Sequence, residues 1–218
     1  MGTVFEDRRD AGRRLAVRLL RFAGERPVVV GLPRGGVPVA AEIARELDAP
    51  LDVLGVRKLG APANPEAGFG AVSEDGTTVV HAALASHVGV TPQDAERMRE
   101  SALDALRGRM AGFRAVRAPV DVRDRTVIVV DDGLATGLSD LAAVRALRGR
   151  GAARLIVAVP VGSRQAVALL RGEADVVVCL ASPPSFGAVG RWYRDFSPVS
   201  DDEVVALLRA ESGQRKPS

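Results

Sequence analysis

Two adjacent carboxylates, Asp131 and Asp132, close an unbroken apolar run from Val127 to Val130 and are followed by Gly133-Leu134-Ala135-Thr136-Gly137-Leu138-Ser139. An apolar run of this length before a glycine turn reads as a buried strand, and helical spacing resumes after Gly137. The acids and hydroxyls therefore fall on a strand-to-helix turn. Unpaired amides at such a turn point at an anion, the helix dipole favours it, and Thr136 and Ser139 add hydroxyl donors. That is a phosphate cradle. Two acids beside a phosphate would repel it, so their natural partners are hydroxyl groups on the same ligand, or a metal. A phosphorylated sugar satisfies both halves of the motif.

Two further segments have matching chemistry. Pro33-Arg34-Gly35-Gly36 follows the valine-rich run Pro27 to Leu32 and offers bare amides and one guanidinium to an anion. Arg57-Lys58 follows the run Leu51 to Val56. Lysine occurs only at Lys58 and Lys216 in a chain that otherwise writes arginine, which points to a use for a compact ammonium at this strand end. Taken singly, each segment is an ordinary turn or cap of an α/β protein; together, at three strand ends, they are harder to dismiss as structure alone.

Strand ends of this kind need a sheet to align them. Apolar runs at Pro27 to Leu32, Leu51 to Val56, Thr126 to Val130, Arg154 to Val159 and Ala174 to Leu180 alternate with helical spacing at Val39 to Leu47, from Gly137 to Gly149 and over Arg164 to Arg171. This predicts a five-stranded, mostly parallel α/β sheet flanked by helices, with ligands at its C-terminal edge. Asp7 to Ala23 has the spacing of an amphipathic helix, and Ser200 with Glu203 forms a capping box for a last helix to Arg209. An insertion over about 59–118 carries a loop signature at Gly60 to Ala67 and a hairpin signature, Phe69 to Ser73 and Thr77 to His81 around Glu74-Asp75-Gly76. It ends in a long helix from Thr91 to about Val116, with proline and Asp94 in its first turn. One domain over 1–218 is expected, with a core over about 27–181 and a small hood from 1–26 and 182–210.

Composition narrows the function classes. With 218 residues, 47% of them apolar, one sizeable core is affordable. No apolar run approaches the roughly 18 residues of a membrane span, and the charged N-terminus is unlike a signal peptide, so a cytoplasmic location is expected. The single cysteine, Cys179, rules out an intramolecular disulfide and reads as a small core residue. His81 and His87 are isolated and receive no role. The net charge of +3 comes from scattered arginines, and six Phe, one Trp and one Tyr show no aromatic and basic alternation, so nucleic acid is a poor partner. Neither a Walker loop nor a Gly-x-Gly-x-x-Gly turn is present.

The apolar strand, acidic pair and Thr-Gly turn resemble the signature of the type I phosphoribosyltransferases. The resemblance implies that Asp131 and Asp132 hold the ribose hydroxyls of phosphoribosyl pyrophosphate, and that the loop Gly133, Leu134, Ala135, Thr136, Gly137 and Ser139 holds its 5-phosphate. It likewise implies that Arg34, Gly35 and Gly36, with Arg57 and Lys58, take the pyrophosphate. Gly133 departs from the family pattern, where an aliphatic residue or serine is usual. The aromatic segment Ser182 to Phe196 resembles the base-binding region of purine-type members, with Phe186, Trp192 or Tyr193 against the base and Asp195 near the metal. Its spacing is offset and the family's purine-reading lysine has no counterpart between Leu155 and Leu180, so these rings would serve equally well to pack the hood.

The implied activity is Mg²⁺-dependent transfer of ribosyl 5-phosphate to a nitrogen acceptor, a nucleobase, with release of pyrophosphate, in nucleotide metabolism. Asp131, Asp132, Lys58 and Arg34 would carry it, while the loop from Gly60 to about Ser73 closes over the site with Glu66 as a further participant. Mg²⁺ would be held mainly by ligand oxygens. A homo-oligomer is compatible with this reading. The alternative is a regulatory, nucleic-acid-binding protein that keeps the same site as a sensor of phosphoribosyl pyrophosphate.

Overall fold

A computed structural model describes residues 4–61 and 64–213, without the side chains of 61–67, 212 and 213. Helix α1 (Arg8–Leu19) passes through a 3-10 turn (Leu20–Glu25) into β1 (Val28–Gly31), α2 (Gly36–Glu46) and β2 (Leu51–Val53). Three strands follow, β3 (Val56–Ala61), β4 (Asn64–Ser73) and β5 (Thr78–Val80), then α3 (Ala82–His87) and α4 (Pro92–Arg114). The chain then alternates β6 (Thr126–Val130), α5 (Leu138–Gly149), β7 (Arg154–Val161), α6 (Arg164–Arg171) and β8 (Val176–Ala181), before a 3-10 turn at Val189–Trp192 and α7 (Asp201–Gly213).

Strands β2, β1, β6, β7 and β8 lie in that order in one sheet, every pair parallel. The expected architecture is present, and its apolar runs have the reason anticipated. Val29, Ile128, Val130 and Ile156 face a layer that includes Ile43 of α2 and Leu103 and Leu106 of α4. Val28, Val127, Val129 and Val157 face α5 and α6, meeting Leu141, Leu147 and Leu170. Both faces are covered, so the strands must be apolar throughout, and each fully buried branched side chain contributes roughly 1.5–3 kcal/mol relative to exposure. The chain order reverses direction between β1 and β6, which leaves a crevice beyond their C-terminal ends.

The second expected strand is corrected. Pairing with β1 stops at Val53, and Arg57-Lys58 lie on β3, in a separate antiparallel sheet of order β3-β4-β5. The cause is Gly55: a methyl there would stand 2.6 Å from Leu106 Cδ2 and 2.8 Å from Met110, so the chain slips under α4 at its narrowest residue. Its amide donates to Glu74 Oε2 and its carbonyl accepts from the Glu74 amide, which bends the chain out of the parallel sheet.

The expected loop at Gly60 to Ala67 is also corrected: β3 runs to Ala61 and β4 begins at Asn64, pairing with bulges at Gly60. Residues 62 and 63 and the Glu66 side chain lie outside the described residues. The β4–β5 hairpin around Glu74-Asp75-Gly76 is as expected, with Gly76 at φ +89 supplying the turn.

Thr91 caps α4 through a capping box with Asp94, as its sequence predicts, and the last helix runs past Arg209 to Gly213. Cys179 is half-buried on edge strand β8, where nothing pairs its outer side among the described residues, so the fully buried position expected of it is not found. No helix among the described residues is long and apolar enough to cross a membrane.

Candidate functional site

The loops after β1 and β6 meet at the crevice between these strands. The Leu32 amide donates to the Val130 carbonyl at 2.9 Å, continuing the ladder past the strand ends. Gly36 then lies so close that a methyl would stand 2.4 Å from that carbonyl oxygen, and one on Gly35 would stand 1.9 Å from Asp132 Oδ2. At Gly36 the obstacle is backbone, so only glycine fits, and at Gly35 a side chain would have to displace the Asp132 carboxylate. The two glycines predicted to bare their amides to an anion are thus also required by close approach, Gly36 to the β6 backbone and Gly35 to Asp132. The Pro33–Arg34 peptide between the strand and these glycines is cis.

The β6 loop is stapled on its other side. The Leu134 amide donates to the Val161 carbonyl, Ser163 Oγ donates to the Ala135 carbonyl at 2.8 Å, and Leu134 itself is buried. Gly137 adopts φ +77 and opens α5, leaving Ala135 and Thr136 exposed at the helix N-terminus. Thr136 Oγ1 accepts weakly from the Leu138 amide at 3.5 Å. A methyl on Gly133 would stand 2.6 Å from Val189 Cγ1, so the residue that departs from the family pattern is a glycine because the hood fills its side-chain space.

Asp131 and Asp132 stand where the sequence places them, and a third acid joins them. Asp140, in the first turn of α5, is 2% exposed, and its Oδ1 has no hydrogen-bond partner. Burial pushes the Asp140 carboxyl up to about 7, against the pull of Lys58. Burial also holds the Asp131 carboxyl well above the usual range, and the charges of Asp140 and Asp132 push it the same way. Asp132 is raised less, because the Arg8 guanidinium opposes the effect of burial. Lys58, exposed on β3, pulls all three down, so its charge is within electrostatic reach of the carboxylates. Alternation along β3 turns the exposed Arg57 to the opposite face. Arg34 is directed outward, 42% exposed, with Nη1 3.9 Å from Asp201 Oδ1 at the start of α7.

Arg8 was invisible in the sequence, one arginine among many on an amphipathic helix. Its Nε donates to Asp132 Oδ2 at 2.9 Å and its Nη1 to the Ser197 carbonyl at 2.9 Å. Asp140 was equally hidden, since an acid in a first helical turn is an ordinary dipole partner. Of the three aromatic rings considered for a base, Trp192 and Tyr193 are 8% and 4% exposed and pack with Phe5, Ala11 and Val161. Their polar atoms are engaged, Trp192 Nε1 donating to the Phe186 carbonyl and the Tyr193 hydroxyl to the Asp132 carbonyl at 2.6 Å. Phe186 alone keeps a half-exposed face. Asp195 is exposed, and its Oδ1 accepts from the amide and hydroxyl of Ser197. No group of three or more His, Cys, Asp or Glu among the described residues is arranged to hold a metal. The donor set fits a cation carried on the oxygens of a bound phosphate ester better than a resident one.

A five-stranded parallel sheet with a reversal-point crevice, bordered by the Gly35-Gly36 turn, the Asp131-Asp132 pair and the turn into α5, defines an α/β protein of the type I phosphoribosyltransferase fold. Residues 5–193 match the family model described as the phosphoribosyl transferase domain, and the chain belongs to that family. It is 48% identical over 207 residues to a Mycobacterium tuberculosis protein named "Putative phosphoribosyl transferase", found in strains CDC 1551 and H37Rv; the match covers 94% of this chain and 46% of the relative. The chain thus spans about half the length of the curated relatives it matches. Among solved structures it resembles TT1426 from Thermus thermophilus, at 45% identity and a TM-score of 0.80, over 96% of this chain and 99% of that one.

Proposed function

We propose that the protein transfers the ribosyl 5-phosphate group of phosphoribosyl pyrophosphate to a nitrogen acceptor, a nucleobase, and releases pyrophosphate. The observation that supports this reading is the close approach of the Gly35-Gly36 turn to Asp132, with the turn into α5 on the other side of the carboxylate pair. A ligand with a diol between two phosphorylated ends matches that order of groups. The 5-phosphate is taken by the amides from Ala135 to Ser139, the diol by Asp131 and Asp132, and the pyrophosphate by the Gly35-Gly36 loop with Lys58 across the crevice. Displacement at the anomeric carbon develops positive charge on the sugar and negative charge on the departing oxygens, so the carboxylates and the cationic side of the crevice stabilise opposite ends of one transition state. A Mg²⁺ ion brought in with the ligand would supply charge neutralisation for the departing group.

The test is pyrophosphate release from phosphoribosyl pyrophosphate and Mg²⁺ across a panel of nucleobases. Turnover with one base, lost by about 100-fold or more in Asp131→Asn and Asp132→Asn with an unchanged fold, is the expected result. No release with any base, with intact binding of phosphoribosyl pyrophosphate, removes the transfer step. One observation favours a second reading: Trp192 and Tyr193 are committed to the hood, and of the three rings expected against a base only Phe186 is half-exposed. A sensor that binds phosphoribosyl pyrophosphate without turnover needs no such ring. It would be recognised by tight binding, no pyrophosphate release and salt-sensitive binding to nucleic acid.

A further inference from the structure

Asp132 is held from the hood as well as from the sheet. Arg8 forks between its carboxylate and the Ser197 carbonyl, and the guanidinium lies 3.9 Å over the Phe196 ring. The Arg8 side chain is 11% exposed and that of Asp132 15%, so the pair is shielded and its geometry is set by these three contacts together. A second tie runs from the Tyr193 hydroxyl to the Asp132 carbonyl, and the Tyr193 ring packs between Phe5 and Phe196, with centroids 5.4 and 5.0 Å away. The same segment is sewn to the residues that precede α1: the Val4 and Phe5 amides donate to the Trp192 carbonyl, and the Arg194 and Asp195 amides to the Phe5 and Glu6 carbonyls. Everything that holds Asp132 from above is therefore one unit, and the chain's only tryptophan lies inside it.

We infer that Arg8 is a positioning residue for the sugar site: its fork between Asp132 and Ser197 fixes the carboxylate that faces the diol and couples it to the aromatic hood, so that occupation of the crevice is felt at Trp192. A flexible carboxylate would lose entropy on gripping two hydroxyls, whereas one already clamped does not. Lysine at this position keeps the charge but cannot bond Asp132 and Ser197 at once while stacking on Phe196. This inference rests on the sugar-phosphate reading of the site, and the two fail differently.

The experiment titrates phosphoribosyl pyrophosphate with Mg²⁺ into the full chain, following heat and Trp192 fluorescence together, for wild type, Arg8→Lys and Tyr193→Phe. Wild type is expected to bind with a change in Trp192 emission. Arg8→Lys is expected to keep a melting temperature near wild type, to bind more than tenfold more weakly and to show no emission change. Tyr193→Phe, which deletes only one hydroxyl, is expected to keep most of the affinity and to lose part of the signal. Wild-type affinity and an unaltered emission change in Arg8→Lys would overturn the positioning role while leaving the sugar site standing. An absence of binding by wild type would instead remove the site reading, and this inference with it.

Discussion

Asp140 is the residue whose energetics are most exposed to measurement. Its carboxyl is raised to about 7 in the fold from an ordinary value of 3.8, chiefly by burial, so the unfolded chain ionises first and the folded chain holds the proton. The contribution is fully present below about pH 4 and is lost as pH rises toward 7, after which it changes no further. Asp131 is raised in the same sense and adds to the slope. Thermal melts at pH 5 and pH 8 should therefore show wild type losing stability at the higher pH. Asp140→Asn should flatten that difference in part and melt higher than wild type at pH 8, by on the order of 5 °C. Equal pH slopes in the two proteins would show that Asp140 is ionised throughout. Gly35→Ala makes a complementary prediction: its methyl would stand 1.9 Å from Asp132 Oδ2, so phosphoribosyl pyrophosphate binding should fall by at least about tenfold, as calorimetry would show. Asp131, Asp132 and both glycines were legible because their types and order are specific. Asp140 and Arg8 were not, because nothing local distinguishes a buried acid or a clamped arginine from its solvated neighbours.

Among the elements, the small antiparallel sheet carries Lys58 to the crevice, and an ionic knot fixes where that sheet starts. Arg114 of α4 donates to Asp52 Oδ1 at 2.5 Å, to the Val53 carbonyl at 2.6 Å and to Glu74 Oε1 at 3.3 Å, while the Val120 amide donates to Asp52 Oδ2. Asp52 is 4% exposed, so deleting Arg114 strands a buried charge. Arg114→Ala should destabilise by roughly 3–5 kcal/mol in urea unfolding, far more than a surface pair is worth. A loss below about 1 kcal/mol would mean that water reaches Asp52. The same knot explains the miscast second strand. Periodicity made Leu51 to Val56 continuous, and only the approach of α4 and Glu74 to Gly55, more than 15 residues away in each case, breaks it. Elements fixed by their own caps and spacing, such as α4 and α6, were readable; those fixed by a distant contact were not.

For the whole molecule, sheet order and hood decide what the site can report. On the proposed reading the ligand bridges loops from both halves of the sheet, so saturating phosphoribosyl pyrophosphate with Mg²⁺ should raise the melting temperature, with about 2.7 kcal/mol of added stability at 100 times its dissociation constant. The shift should vanish in the Asp131→Asn, Asp132→Asn double variant, and its persistence there would place the ligand elsewhere. The parallel sheet and its ligand edge could be foreseen because repetition along the chain encodes them. The packing of the hood could not, since residues 5–8 and 186–197 meet only through tertiary structure. Gly133 shows what that meeting entails. Its missing side chain is a socket and Val189 is the plug, so neither position can be changed freely without the other. Enlarging 133 alone should unseat the lid, trimming 189 alone should leave a void, and only the paired exchange should restore a close joint.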